Sequence, residues 1–155
     1  MGSGYTHEVS DVSATGNVVG REYVGGLFGQ LNVRSGYKLF HAHATGSVDA
    51  STGRGGGLIG IIDEGVISQS YATGNVYGQD DMGGFIGLSG SVRVRDSYAT
   101  GNATIVSGEG SASGFIGYSY APGIIFNSYA VGEVTTDSAY GGFVGNGTAI
   151  FFHSF

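Results

Sequence analysis

Two histidines, His41 and His43, stand two positions apart, the spacing that puts both side chains on one face of an extended strand. Neutral imidazoles so placed could share a soft cation. The chain has no cysteine to join them, and no third ligand follows at metal-site spacing. Gln69 and Tyr71 fill the same two positions in a later repeat, so the pair reads as outward polar residues. Two carboxylate pairs, Asp63-Glu64 and Asp80-Asp81, fall between the repeated phrases, where acidic residues commonly serve as solvated turn residues. Asp49, Asp80, Asp81, Glu109 and Asp137 all follow the first phrase of a repeat and could line one edge. Such an edge offers Ca²⁺ the oxygen ligands it takes, but weakly, with no EF-hand loop or calcium-binding nonapeptide present. No Gly-x-Ser-x-Gly elbow and no Gly-Lys-Ser/Thr phosphate cradle occurs. The expectation is a non-enzymatic chain without a cofactor.

The strongest remaining candidates are ranks of identical residues. Tyr71, Tyr98 and Tyr129 recur at one position of a repeated phrase, with Thr73 and Thr100, then Asn75 and Asn102, beside them. Facing outward, these seven would form a flat strip: aromatic rings for sugar rings, hydroxyls and amides for their oxygens. The competing reading is structural, since like residues on adjacent strands stack and stabilise the sheet by a few tenths of a kcal/mol per pair. A single threonine rank beside bulky tyrosines fits an ice-binding array poorly.

The elements that position these ranks follow from the repeat. "SYATGN" occupies 70–75 and again 97–102, and "SYAVGE" occupies 128–133. An Ala-Thr-Gly phrase recurs at Ala14, Ala44, Ala72, Ala99 and, as Ala-Val-Gly, Ala130. A second phrase recurs as "GLFG" from Gly26, "GLIG" from Gly57, "GFIG" from Gly84 and Gly114, and "GFVG" from Gly142. Each returns after roughly 27 to 31 residues, a solenoid period. With 32 glycines the intervening stretches suit helices badly, each helical glycine costing about 1 kcal/mol. Small or apolar columns (Val12, Ala42, Ser70, Ser97, Ser128; then the alanines, the glycines, and Val18, Val48, Val76, Ala103, Val134) alternate with polar or aromatic ones. That is the period of a half-buried strand. The first polar column runs Asp11, His41, Gln69, Asp96, Asn127, His153. A third apolar patch closes each unit: Leu31-Asn32-Val33, Val66-Ile67, Val92-Arg93-Val94, Ile124-Ile125-Phe126 and Ile150-Phe151-Phe152.

The prediction is an all-β parallel β-solenoid (β-helix) of about five coils, each with about three short strands, right-handed by the general rule for parallel crossovers. The coils span approximately 9–38, 39–67, 68–94, 95–126 and 127–152, and 153–155 begin a sixth. Glycines at the corners are expected to supply positive φ and close backbone approach. A small β-sandwich of hairpins is the alternative. "MGSG" at 1–4 reads as an expression remnant, leaving 5–155 as one domain.

Bulk properties narrow the partners. Apolar residues make up 41% of the chain, enough to order it. A net charge of −6 with only six Lys and Arg disfavours nucleic acid, which needs clustered cations. No run of 18 apolar residues suggests insertion in a membrane. The unfinished sixth coil predicts exposed strand edges and self-association through the solenoid ends.

"SYATGNV" followed by "GGFIG" resembles the GLUG-motif repeat, named for Gly-Leu-hydrophobic-Gly, and five tetrads cover nearly the whole chain from about Val9. Phe replaces Leu in three tetrads, Ser113 replaces a preceding glycine, and Ser13 and His43 replace the tyrosine. The resemblance implies a bacterial cell-surface or secreted setting in large adhesin-like proteins, where such repeats lie outside catalytic domains. The outward strip of Tyr71, Tyr98, Tyr129 and their neighbours makes a host or environmental glycan or glycoprotein a candidate partner. The expected role is a non-catalytic structural or adhesive segment; the alternatives are an end-to-end filament subunit, a glycan-binding module and a polysaccharide-acting enzyme.

Overall fold

The computed structural model describes residues 7–31, 37–138 and 140–155. All its regular elements are strands, every ladder is parallel, and the chain winds as a β-solenoid of about five turns. One turn illustrates all. From Tyr71–Ala72 the chain runs through Val76–Gly78 and Met82–Gly83 into a long strand, Ile86–Arg95, and returns at Tyr98–Ala99 beside its starting point. Four sheets result. The ring sheet comprises Ser13–Ala14, His43–Ala44, Tyr71–Ala72, Tyr98–Ala99 and Tyr129–Ala130. The valine sheet stacks Val18–Gly20, Val48–Ala50, Val76–Gly78, Ala103–Ile105 and Val134–Thr135. The glycine sheet stacks Tyr23–Gly25, Arg54–Gly56, Met82–Gly83, Ala112–Ser113 and Tyr140–Gly141. The long sheet carries Ile59–Ser68, Ile86–Arg95, Ile116–Phe126 and Val144–Phe152, preceded by Glu8–Ser10, Phe28–Leu31 and Lys38–Phe40.

Burial follows the alternation. Ala72, Val76, Ala99 and Ala103 are fully buried and Ser70 and Ser97 nearly so, while Tyr71, Thr73 and Asn75 lie between buried and exposed. Both apolar residues of each tetrad enter the main core, among them Leu58, Ile59, Phe85, Ile86, Phe115 and Ile116. Phe85, Phe115 and Phe143 stack along the axis at 4.6 and 4.7 Å. A second apolar cluster, with Val48, Val76, Met82 and Ile105, fills the valine and glycine sheets.

Three expectations are corrected. A coil has four strands: the Ala-Thr-Gly phrase divides into two strands at its glycine, and the tetrad fuses with the apolar patch into one strand of nine to eleven residues. Next, positive φ falls on three described glycines, Gly65, Gly108 and Gly147, but the corner that recurs in every coil belongs to non-glycine residues. Asp11, His41, Gln69, Asp96, Asn127 and His153 all have φ between 47° and 56°, so this column turns the chain and is not part of a strand. Asn, Asp and His tolerate that region best because a short polar side chain can bond locally, and Gln69 is the exception. Lastly, the phrase glycines are required by close approach, not by φ. A Cβ on Gly46, Gly74, Gly101 or Gly132 would sit 1.9–2.0 Å from the carbonyl oxygen of the equivalent glycine in the preceding coil.

The one proline, Pro122, lies where the Ile116–Phe126 strand bulges against both neighbours, so its missing N–H leaves no gap in the ladder. The Tyr120 hydroxyl, on the same bulge, passes over Gly90 and donates to Asp63 two coils away. Asn32 and Val33 of the first apolar patch, and residues 1–4, lie outside the described residues.

Candidate functional site

The predicted strip exists as one surface, and each of its ranks has a place in the stack. Tyr71 pairs with Tyr98 and Tyr98 with Tyr129 in register, so the phenol rings superpose. Their centroids are 5.0 and 5.1 Å apart and their planes within 5°. His43 extends the column below at 4.7 Å, and Phe155 above at 6.0 Å. Five rings therefore form one continuous stack. Each ring pair stabilises the sheet by about 0.5–1.5 kcal/mol beyond the area it buries. The arrangement fixes what solvent meets: ring faces cover one another, and only the ring edges and hydroxyls of Tyr71, Tyr98 and Tyr129 remain outward. Burial, followed by the neighbouring Tyr71 and Tyr129, holds the Tyr98 hydroxyl above the ordinary tyrosine range.

The asparagines work along the axis. Asn75 Oδ1 accepts the Asn102 N–H at 3.0 Å, and Asn102 Oδ1 accepts the Glu133 N–H at 2.9 Å. Asn17 does the same for Ser47 at 2.9 Å. At this bend the backbone of adjacent coils does not supply the partner, and the amide side chain does. Asn75 Nδ2 is directed to the Tyr77 hydroxyl at 3.2 Å. Thr73 and Thr100 stand half-buried between the two ranks, their backbone N–H groups bonded to Ala44 and Ala72.

Sequence reasoning placed the serines inward as small packing residues and missed the bonds they make. Beside the left-handed corner each one closes a relay. Ser97 Oγ donates to the Arg95 carbonyl at 2.8 Å and accepts the Ser70 N–H from the coil below at 3.2 Å. Ser70, Ser128 and Ser154 repeat both bonds. The signal in the sequence was the replacement of Val12 and Ala42 by serine in later coils, which a small-residue reading absorbs without remark.

The histidines come apart. His41 sits at the left-handed corner, its Nδ1 3.3 Å from Asp11 Oδ1 and its Nε2 3.0 Å from Gln69 Oε1. His43 belongs to the ring column. An open groove of about 400 Å³ runs between the corner row and the ring row, lined by Asp11, His41, His43, Gln69 and Tyr71. The acidic edge is likewise divided. Arg54 binds Asp81 through Nε at 2.9 Å and Asp80 through Nη2 at 3.0 Å, and buried Asp81 also accepts the Ser111 N–H at 3.1 Å. Among the described residues no group of three His, Cys, Asp or Glu side chains converges on a point where an ion could sit.

No protein-family model and no solved structure matches the chain. A stretch of 71 residues, 44% of the chain, is 46% identical to halomucin of Haloquadratum walsbyi. The match covers 1% of that protein, so the chain spans a small fraction of the relative it resembles. What these comparisons and the fold establish together is a β-solenoid repeat protein with partial similarity to one very long protein.

Proposed function

We propose that the chain is a non-catalytic structural segment, a stalk or adhesive surface, of a larger extracellular or cell-surface protein of the GLUG-repeat type. The observation that carries this reading is the direction of its polar bonds. The repeated serines and asparagines turn their oxygens along the axis to the next coil, and the repeated tyrosines turn their faces to one another. Residues repeated at fixed register thus serve length and stiffness. The extracellular setting draws on the partial likeness to halomucin, and on five glycine tetrads that resemble repeats of bacterial surface proteins. Antibody raised against the chain is expected to label intact source cells or their secreted material. Confinement of the antigen to the cytosol would overturn the reading.

End-to-end self-association is a second reading. It is favoured by the Val144–Phe152 strand, which pairs on one side only and half-exposes Ile150, Phe151 and Phe152. Sedimentation over a wide concentration range would show growing species; a constant monomer would remove it. The outward strip supports glycan contact only through ring edges, hydroxyls and the Thr73 and Thr100 rank.

A further inference from the structure

Among the described residues, Tyr71, Tyr98 and Tyr129 are the tyrosines whose register sets phenol directly over phenol. Their separations, 5.0 and 5.1 Å, barely exceed the strand spacing of about 4.8 Å. The rings are therefore repeated along the axis by one strand step with their planes parallel, so each ortho carbon has its counterpart one rung away. Their hydroxyl-bearing edges face solvent, where an oxidant can take an electron without entering the fold. Tyr129 is 36% exposed, and Tyr71 and Tyr98 are half-buried. Burial, then the neighbouring Tyr71 and Tyr129, raise the Tyr98 hydroxyl above the ordinary tyrosine range. With no cysteine in the chain, adjacent coils have no disulfide to join them.

We propose that this column is an oxidative cross-linking site, in which a one-electron oxidant of the haem-peroxidase class, supplied with hydrogen peroxide, couples adjacent phenols into dityrosine. Each of two stacked phenols loses one electron and its hydroxyl proton, giving two phenoxyl radicals with spin at the ortho carbons. The radicals pair to form one carbon–carbon bond between the rings. Each joined carbon then releases its hydrogen as a proton, each oxygen regains one, and aromaticity returns. Peroxide accepts the two electrons and two protons and leaves as two waters. The fold contributes proximity: both rings are already held at the same height and tilt, which favours coupling within the stack over collision between molecules. The product ties one coil to the next covalently, on the column where, among the described residues, a phenol repeats in register.

The test treats the folded 155-residue chain, dilute, with a haem peroxidase and hydrogen peroxide, and reads dityrosine fluorescence together with tryptic mass spectra. Arg93 and Arg95 separate Tyr71 from Tyr98, so their coupling joins peptides 55–93 and 96–155 into one species two hydrogens lighter than their sum. That species is expected in protein that remains monomeric. Tyr98→Phe keeps a ring in the stack but puts the remaining phenols two rungs apart, and should cut the fluorescence about tenfold or more. Denaturing the parent before oxidation should do the same. Undiminished yield in either case, or cross-links mapping to Tyr77, Tyr120 or Tyr140 in place of the column, would overturn the proposal.

Discussion

Replacing Ser97 with alanine isolates one rung of the serine relay. The Ser97 hydroxyl accepts the Ser70 N–H at 3.2 Å, and that amide belongs to a residue only 1% exposed. It also donates to the Arg95 carbonyl, which keeps a second partner in the Gln69 N–H at 3.1 Å. The loss therefore falls on one buried donor. A buried N–H left unpaired costs about 1–3 kcal/mol, so Ser97→Ala should destabilise the chain by about 2 kcal/mol. For a chain of this length each kcal/mol moves Tm by about 2–4 °C, which gives a fall of about 4–8 °C. Urea unfolding measures the total, and hydrogen exchange places it, because the Ser70 amide should lose protection more than the Thr73 amide bonded to Ala44. A change below about 0.5 kcal/mol with the Ser70 amide still protected would show that the hydroxyl does not cap that amide.

Two further outcomes follow from the same geometry. Ala42 occupies the serine position without a hydroxyl, so Ala42→Ser should give the Val12 amide a partner and raise stability by about 0.5–1 kcal/mol, read by urea unfolding. Burial raises the Tyr37 hydroxyl, burial and then the neighbouring tyrosines raise Tyr98, and burial followed by the Asp63 bond raises Tyr120 well beyond the ordinary range. For an acid whose folded pKa is raised, the stabilisation is complete below the unfolded value of about 10 and is lost as pH climbs through the folded value. Tm should thus fall above about pH 10, with some of the ten tyrosines ionising late in an absorbance titration. Ionisation of all ten together near pH 10 with Tm unchanged would contradict this.

How much of this was legible depends on whether a feature lives within one coil or between two. The inward set Ser70, Ala72, Gly74 and the outward set Tyr71, Thr73, Asn75 were legible, because period-2 alternation is local and its repetition fixes register. The tyrosine column followed from that register. Stacking of its rings followed too, since like residues on adjacent strands meet one strand spacing apart, and that turns the ring faces toward one another. The left-handed turn at Gln69 was hidden, as glutamine carries no turn signal and the turn is imposed by the strands on either side. The same holds for the bond between Arg54 and Asp81, 27 residues apart, which reads as a charged linker until the coils are placed in register. Glycine drew attention to the right positions for partly the wrong reason: at Gly74 the limit is the neighbouring carbonyl, a contact no single coil contains.

That contact gives the most direct test of the stacked-coil account. Gly16 and Gly74 hold the same position of the same phrase. A Cβ on Gly74 would lie 1.9 Å from the Gly46 carbonyl oxygen, whereas one on Gly16 meets no atom within 4 Å. Neither glycine has a positive φ. Equilibrium unfolding of the two alanine variants should separate them. Gly74→Ala should lose about 3 kcal/mol or more, since only backbone can move to make room. Gly16→Ala should be unchanged or gain about 0.5 kcal/mol from reduced freedom of the unfolded chain. Equal effects at the two positions would mean that the coils do not pack backbone against backbone, and the account would fail.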